Sequence, residues 1–388
     1  MVPDGWEVKE LQFLCKKIAV GLAISVTPFM KTSGVKLIRN QNIKRNYFNS
    51  DSVVYIDEVF ANSNKSKKVR HGDVVAVRTG SNIGEACVVP KDFDGALTFT
   101  TLIARPNPAL LDSFYLSTHI NSDLGISEVN RLCAGGGKPN LNSGELKRYR
   151  LLTPPLDEQK KIAQILSTWD KAITTTEQLL ANSQQQKKAL MQQLLTGKKR
   201  LLDNNGVRFS GEWKRVELGD LLDYQQPTPY LVESTEYSDN FSTPVLTAGK
   251  TFILGYTDEE SGIFSGKLPA IIFDDFTTDS KFVDFPFKAK SSAMKILTAK
   301  DGVSIRFVYE AMQMIDFAVG GHQRHWISIY SHLVIPFPGK EEQQKIAAVL
   351  STADQEVSVL QQKLDALKQE KKALMQQLLT GKRRVQIN

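Results

Sequence analysis

Apolar side chains recur at alternating steps of four and three residues in two long segments of the chain. The first series is Ile162, Leu166, Trp169, Ile173, Thr176, Leu180, Ser183, Lys187, Leu190 and Leu194, and the second is Ile346, Leu350, Ala353, Val357, Leu360, Leu364, Leu367, Lys371, Leu374 and Leu378. This is the a/d seam of a heptad pattern. Neither Pro nor Gly interrupts residues 158–195, so the first helix can extend about 57 Å at ~1.5 Å per residue. Two equal seams joined through a whole domain predict that the helices pair with each other antiparallel.

The two segments are also copies of each other. Residues 187–198 read KKALMQQLLTGK, and the same letters recur at 371–382, a shift of 184 (371 − 187). The match extends back to Glu158-Gln159 and Glu342-Gln343. Each copy ends at a glycine, the residue typical of a helix stop. Equal length and register predict a spacer that holds two domains a fixed distance apart; the alternative is a purely structural role.

A globular pattern precedes each copy. We predict a first domain at 1–153, a first spacer helix at 154–200, a second domain with an N-terminal linker at 201–336, and a second spacer helix at 337–388. The strand and loop at 74–82 correspond in layout to 270–278, and 134–141 corresponds to 319–326. The predicted fold class is α+β: two mixed α/β domains alternate with two long helices that pair as an antiparallel coiled coil. The layout is circular and pseudo-twofold, so we expect the chain ends to be neighbours.

Charge separates the two domains. The net charge of the chain is +7. The first domain and both helical segments are basic, whereas residues 201–336 carry 12 basic and 18 acidic side chains, a net charge of −6 (12 − 18). The basic total fits a nucleic-acid partner. The acidic domain does not fit such a partner through long-range attraction, so a local basic strip, or the basic helices and basic partners, would have to hold the nucleic acid.

Cysteine usage and hydropathy indicate a cytoplasmic protein. Cys15, Cys87 and Cys133 have no metal-ligand spacing, which favours free thiols in a reducing compartment. We see neither a signal peptide nor an apolar stretch long enough for a bilayer, so no membrane association is expected.

The motifs of common catalytic sites are missing from the sequence. No G-x-x-x-x-G-K-[ST] phosphate loop occurs, and Pro139 breaks the helix that a dinucleotide fingerprint would need after 135–137. We expect no metal site at His322, His325 and His332, because Cys or carboxylate ligands at suitable spacing are lacking.

One enzyme alternative remains at the sequence level. Asp274, Asp275, Asp279 and Lys281 lie within eight residues, and Asp279-Ser-Lys281 is typical of half of a metal-dependent nuclease site. The other interpretation places these acids at a loop tip, where an Asp can accept a hydrogen bond from cytosine N4. A third possibility is a coiled-coil adaptor that binds only proteins.

The chain resembles a specificity (S, HsdS) subunit of a Type I restriction–modification system over essentially its full length. The resemblance rests on the matched helical repeats and on Pro-x-x-x-Glu-Gln-x-x-Ile at 154–162, from which the second copy, Pro338-Gly-Lys-Glu-Glu-Gln343, departs slightly. The loops at 78–81 and 137–141 add to it. It implies that each domain is a target recognition domain reading one half of a split DNA sequence, and that the helices set the gap and dock two modification subunits.

The same resemblance implies that this non-catalytic chain binds no cofactor itself. The modification subunits would bind S-adenosylmethionine and methylate adenine, and a motor–nuclease (restriction) subunit would use ATP and Mg. Direct readout of double-stranded DNA needs donors and acceptors on rigid loops. The candidates in the first domain are Arg78, Thr79, Ser81, Asn82, Lys138 and Asn140, with Arg39, Asn40 and Asn42 on a second loop. Those in the second domain are Lys250, Thr251, Thr277, Thr278, Lys281, Gln323 and Arg324.

Overall fold

The computed structural model describes residues 2–133, 140–247, 249, 251–317 and 325–387. The chain divides into two compact units. Unit 1 comprises Met1–Glu177 and Gln362–Asn388, and unit 2 comprises Gln178–Gln361. Each unit therefore contains one globular domain together with part of each long helix.

Unit 1 is built on a four-stranded sheet with the order β2-β11-β8-β9 and a second one with the order β10-β4-β7-β3. Its strands are β1 (Glu7–Glu10), β2 (Cys15–Val20), β3 (Met30–Lys31), β4 (Val35–Ile38), β5 (Ile43–Lys44), β6 (Tyr47–Phe48), β7 (Val54–Ile56), β8 (Val74–Val77), β9 (Ala86–Val88), β10 (Leu97–Thr98), β11 (Thr101–Pro106) and β12 (Arg150–Thr153). Its shorter helices are α1 (Leu11–Leu14), α2 (Glu58–Ser63), α3 (Ser113–Ile120), α4 (Asp123–Cys133) and α5 (Ser143–Lys147). The long helix α6 (Leu156–Leu194) begins in this unit.

Unit 2 repeats this plan. Its four-stranded sheet has the order β14-β20-β17-β18, so the β17–β18 hairpin takes the position of the β8–β9 hairpin. The strands are β13 (Lys214–Glu217), β14 (Leu222–Gln225), β15 (Thr243–Leu246), β16 (Ile253–Thr257), β17 (Ala270–Asp274), β18 (Ser280–Val283), β19 (Lys288–Ala289), β20 (Met294–Ala299) and β21 (Val334–Phe337). The helices are α7 (Leu218–Leu221), α8 (Ile305–Met312), α9 (His325–Ser328) and the long α10 (Lys340–Leu378).

The two long helices are equal, as predicted, with 39 residues each. They run antiparallel in unit 1, because Asp170 of α6 pairs with Lys371 of α10 at 2.5 Å and Glu177 pairs with Lys368 at 2.8 Å. The polar seam position Thr176 is buried, as is the next apolar one, Leu180, and the hydroxyl of Thr176 donates to the carbonyl of Ala172. The predicted fold class, two α/β domains with two paired long helices, is confirmed.

Each domain core is completed by both helices. In unit 1, Ile162 and Leu166 of α6 join the core cluster together with Leu378 and Leu379 of α10. In unit 2 the same roles fall to Ile346 and Leu350 of α10 and to Met191 and Leu194 of α6. A fully buried side chain of this kind contributes about 1.5–3 kcal/mol. Hydrophobic burial therefore fixes the start of one helix and the end of the other on the same domain.

A buried glutamate fastens these helix ends in unit 1. The carboxylate of Glu158, at the start of α6, accepts hydrogen bonds from Arg384 Nε (2.7 Å) and Nη2 (2.8 Å), after the end of α10, and from Trp6 Nε1 (3.0 Å). Arg384 Nη1 also donates to the carbonyl of Asp4 at 2.9 Å. The prediction that the two ends of the chain are neighbours is therefore confirmed.

Unit 2 contains the matching set, which we call the unit 2 clasp: Glu342, Arg200 and Trp213. Glu342 accepts from Arg200 Nε at 2.6 Å, from Arg200 Nη2 at 2.7 Å and from Trp213 Nε1 at 3.0 Å. Its hydrogen bonds to Glu342 raise the pKa of the Arg200 guanidinium, against the lowering effect of burial. The corresponding set in unit 1, Glu158, Arg384 and Trp6, is the unit 1 clasp. In each unit, the glutamate at the start of one long helix therefore binds the arginine that follows the end of the other long helix.

Unit 2 differs from unit 1 beside the helix pair. Lys187 of α6 binds Asp354 of α10 and lies 3.4 Å from Glu310. Arg306 lies 2.8 Å from Glu310 and also binds Asp354. Burial raises the pKa of Glu310, and the negative charge of Asp354 raises it further, whereas the positive charges of Lys187 and Arg306 lower it.

Candidate nucleic-acid interface

The β8–β9 hairpin ends in a tight loop that presents polar side chains. Val77 N donates to the carbonyl of Glu85 at 2.8 Å, and Gly84 N donates back to the carbonyl of Val77 at 2.9 Å. Gly84 has φ +85°, and a Cβ there would lie 3.0 Å from Val129, so the turn requires glycine. Arg78 is half-buried at the base of the loop, and Thr79, Ser81 and Asn82 are exposed. Four predicted contact residues therefore share one rigid loop.

Asn140 joins this hairpin from the other Gly-rich segment. Thr79 and Asn140 form an antiparallel bridge, Leu141 N donates to the carbonyl of Arg78 at 3.0 Å, and Arg78 Nε donates to Asn140 Oδ1 at 3.1 Å. Leu141 is buried in the core and anchors the segment. The structure thus brings together Arg78, Thr79 and Asn140, while the sixth candidate, Lys138, lies outside the described residues.

The three candidates on the loop after β4 differ in their hydrogen bonding. Asn42 is 1% exposed: its Oδ1 accepts from Arg39 N at 2.9 Å, and its Nδ2 donates to the carbonyl of Asn49 at 2.9 Å, so its amide shapes the loop. Arg39 Nε and Asn40 Oδ1 have no hydrogen-bond partner among the described residues. The following strand, β5, packs on β8 and β9, which brings this loop to the hairpin. Both of these atoms are buried, so a ligand could reach only the exposed parts of the two half-buried side chains.

An arginine on a surface loop can pair with a nearby acid instead of with DNA. Within the part of the chain that the structure describes, neither forms an ion pair. The guanidinium of Arg39 makes one long bond, from Nη2 to the carbonyl of Ser52 at 3.4 Å, and that of Arg78 binds only the neutral amide of Asn140. Among the described residues, no carboxylate therefore neutralises either guanidinium. Both can donate to a phosphate or to the edge of a guanine.

Unit 2 presents the corresponding β17–β18 hairpin. The carboxylate of Asp274 accepts from Phe276 N at 2.8 Å and from Thr277 N at 3.1 Å, which closes the turn. Thr277 is exposed, Thr278 is half-buried with φ +60°, and Lys281 is half-buried on β18 opposite Ile272. These three candidates lie on one hairpin.

The loop after β15 is the second candidate surface of unit 2. It is closed by Thr247, whose N donates to the carbonyl of Phe252 at 3.0 Å and whose hydroxyl donates to the carbonyl of Thr251 at 2.6 Å. Thr251 is exposed. The neighbouring segment after β19 links the two loops, because Lys290 N donates to Leu246 and Asp275 N donates to the carbonyl of Ala293. Lys250, Gln323 and Arg324 lie outside the described residues.

Asp275 has a structural role that the sequence did not reveal. Its carboxylate is 3.0 Å from Lys295 Nζ, with both side chains almost fully buried, and its Oδ1 accepts from Trp326 N at 2.9 Å. Its carbonyl lies 2.7 Å from His325 Nδ1. Asp275 therefore ties the hairpin to α9, in the way that Arg78 ties the first hairpin to residues 140–141.

These contacts bear on the nuclease alternative. The carboxylate of Asp274 closes a turn, and that of Asp275 is paired with Lys295. Across the described ranges, no group of three or more His, Cys, Asp or Glu side chains could hold a metal ion. Asp274 and Asp275 thus have structural partners, whereas Asp279, the third acid of the hairpin, is exposed.

The cysteines are free thiols. Burial raises the pKa of Cys15 to about 12, with a smaller contribution from the negative charge of Asp73. Burial also raises the pKa of Cys87 to about 12. Both thiols stay protonated at neutral pH and act as small apolar side chains. Of the helices that the structure describes, none combines the length and apolar character needed to cross a membrane.

Each unit presents a polar hairpin on a domain whose core includes residues of both long helices. Comparison with known proteins supports a specific class. The family model described as "Type I restriction modification DNA specificity domain" matches residues 3–182 and 210–369. The chain belongs to this family, whose members are the non-catalytic specificity (HsdS) subunits of type I restriction–modification systems. The predictions of family and of a non-catalytic DNA specificity subunit are confirmed.

Individual relatives agree with this assignment. The chain is 49% identical to the EcoR124I/EcoR124II specificity subunit of Escherichia coli over a part that spans 39% of this chain and 38% of that protein. It is 24% identical to a putative MjaX specificity subunit of Methanocaldococcus jannaschii, over 99% of this chain and 95% of that protein. The chain also resembles the crystal structure of a Type-I restriction-modification system S subunit from M. genitalium, with a TM-score of 0.66 and 13% sequence identity. The match covers 100% of this chain and 97% of that one. This last likeness shows the shared fold.

Proposed function

We propose that each domain of this specificity subunit reads one half of a bipartite DNA target through its hairpin and the adjoining loop. The observation that carries the proposal is the cluster of Arg78, Thr79 and Asn140, fixed by backbone pairing and by the 3.1 Å bond between two of its side chains. A rigid loop with an unpaired arginine suits the O6 and N7 acceptors of guanine in the major groove. Arg39 and Asn40, both half-buried on the adjoining loop, belong to the same proposed set.

The second half of the target would be read by unit 2. Thr251, Thr277, Thr278 and Lys281 supply the described part of that surface, and Lys250, Gln323 and Arg324 complete the proposed set. We assign the domains to 1–153 and 201–336 and the spacers to 154–200 and 337–388. Because the second domain is acidic, basic partner subunits would supply much of the attraction to DNA.

The paired helices would set the gap between the half-sites and dock two methyltransferase subunits. Their antiparallel pairing offers an equivalent surface to each of two identical partners. S-adenosylmethionine would then belong to those partners, and ATP and Mg to a restriction subunit that joins them. The assembly would act on DNA in the cytoplasm.

Arg78→Ala tests the proposal in cells that carry the complete system. Loss of a bidentate arginine–guanine contact costs about 1–3 kcal/mol of discrimination. We expect the methylated motif to become degenerate at one position of one half-site, while the other half-site stays unchanged. Arg150→Ala is the matched control, because Arg150 is exposed on β12, away from the hairpin. An unchanged motif in Arg78→Ala, or changes in both half-sites, would contradict the assignment.

A further inference from the structure

Phe276 lies at the tip of the β17–β18 hairpin with 47% of its surface exposed. Single exposed apolar residues are common on proteins and need no explanation by themselves. Phe276 differs in its position, because it precedes Thr277 on the loop that the proposed function assigns to DNA reading. The equivalent loop of unit 1, residues 78–84, contains no aromatic residue.

Hydrogen bonds hold the backbone that carries this ring. The backbone N–H of Phe276 donates to Asp274 Oδ1 at 2.8 Å, and Thr278 N donates to the carbonyl of Asp274 at 2.9 Å. On the other side of Phe276 in the loop, Asp275 is anchored by Lys295 and Trp326. The backbone on both sides of Phe276 is thus held, which lowers the entropic cost of ordering the loop on binding.

The charge of this region favours a contact that does not depend on coulombic attraction. The second domain carries a net charge of −6 (12 − 18), so long-range attraction to phosphate is weak there. The carboxylates of Asp274 and Asp275 are engaged by the backbone and by Lys295, so they do not keep an apolar partner from the ring. An apolar contact to a base supplies affinity and specificity that salt does not screen.

We infer that Phe276 packs against the C5-methyl group of a thymine in the major groove of the second half-site. Phe is among the side chains whose apolar contact distinguishes thymine by its methyl group. This inference rests on the proposed function, because it needs the hairpin to lie in a DNA groove. It adds a residue that determines specificity and the chemical feature that it reads.

The test removes only the methyl group from the DNA. The full-length chain is assembled with its methyltransferase partners, and its methylated motif is mapped. The Kd is then measured for duplexes in which each thymine of the second half-site is replaced in turn by deoxyuridine. Burial of one methyl group is worth about a fourfold change in affinity. We expect one deoxyuridine position to weaken binding about fourfold, and Phe276→Ala to abolish that difference while binding both duplexes less tightly.

Two further variants keep the result interpretable. Phe276→Leu retains an apolar side chain and should keep part of the preference for thymine, even if the alanine variant folds poorly. Tyr224→Ala is the matched control, because Tyr224 is 46% exposed in the same sheet but on its edge strand β14. It should show the wild-type response to deoxyuridine at every position.

The outcomes separate this inference from the proposed function. Equal responses to deoxyuridine in Phe276→Ala and wild type would overturn the inference, as would a second half-site without thymine in either strand. Absence of any sequence-specific binding by the assembled wild-type complex would instead overturn the proposed function, and with it the inference.

Discussion

Replacing the buried glutamate of each clasp by alanine should give different losses of stability in the two units. Glu342 and Glu158 have the same hydrogen-bond donors, an arginine and a tryptophan, at nearly the same distances. The two sites differ in the exposure of the arginine that remains after the glutamate is removed. The Arg200 side chain is 20% exposed, whereas that of Arg384 is 46% exposed.

The magnitude follows from this exposure. Removing one partner of a buried ion pair costs about 3–5 kcal/mol. Water can partly reach Arg200, so Glu342→Ala should lie near the lower limit, about 3 kcal/mol. Trp213 also loses its acceptor, and the indole N–H is left without its hydrogen bond. In Glu158→Ala, water can solvate the more exposed Arg384, so the loss should be clearly smaller.

Native-state hydrogen exchange read by mass spectrometry can measure each unit separately. Peptides from the start of α10 report on Glu342→Ala, and peptides from the start of α6 report on Glu158→Ala. A loss of 3 kcal/mol corresponds to roughly a hundredfold faster exchange, at about 1.4 kcal/mol per factor of ten. Glu341→Ala is the control, because Glu341 is exposed in the same helical turn and has the same favourable position at the helix N-terminus.

Two results would refute this reasoning. If Glu341→Ala accelerated exchange as much as Glu342→Ala, the effect would come from the helix terminus instead of the clasp. If Glu158→Ala cost as much as Glu342→Ala or more, exposure of the remaining arginine would not decide the energy.

Three other predictions follow from the same structure. Four helix-forming residues inserted near Thr175 should lengthen α6 by about 6 Å and widen the gap in the methylated motif by roughly one to two base pairs; a constant gap would show that the helices do not set it. A permutant that joins residue 388 to residue 1 and opens at Asn204-Asn205 should fold and direct methylation, and its failure to fold would contradict the importance of the neighbouring ends. The raised pKa of Glu310 means that its contribution to stability is complete below its ordinary pKa near 4.5 and is lost as pH rises through the folded value. Urea unfolding of Glu310→Gln should therefore show a smaller loss of stability above this pH than wild type, and identical pH profiles would count against the shift.

Local patterns in the sequence determined the repeated parts of this protein. The heptad spacing and the exact repeat predicted two equal helices, because a period of 3.5 residues is a property of neighbouring positions. Turn glycines such as Gly84 marked the hairpin loop for the same reason, since a positive φ restricts the residue type at one position. The family resemblance followed from these segments together.

Only the tertiary structure decided what each polar side chain does. Asn42 was predicted as a DNA contact from its place in a polar loop, but its amide is buried in hydrogen bonds with that loop. Asp275 looks like its exposed neighbour Asp279 in the sequence, yet it is paired with Lys295 on another strand. The sequence around Phe276 does not predict that its apolar side chain is exposed, because exposure depends on how the hairpin packs.

The two clasps illustrate the difference between what the sequence predicts and what the tertiary structure decides. Glu158 and Arg200 of the first copy recur as Glu342 and Arg384 of the second copy. The sequence does not predict which glutamate binds which arginine. In the fold the partners are separated by 142 residues in one unit and by 226 in the other. Each carboxylate binds the donors that helix packing places within hydrogen-bond distance. The sequence by itself therefore determined the elements and their repetition, and the tertiary structure alone decided the pairing, because burial and distance depend on the whole chain.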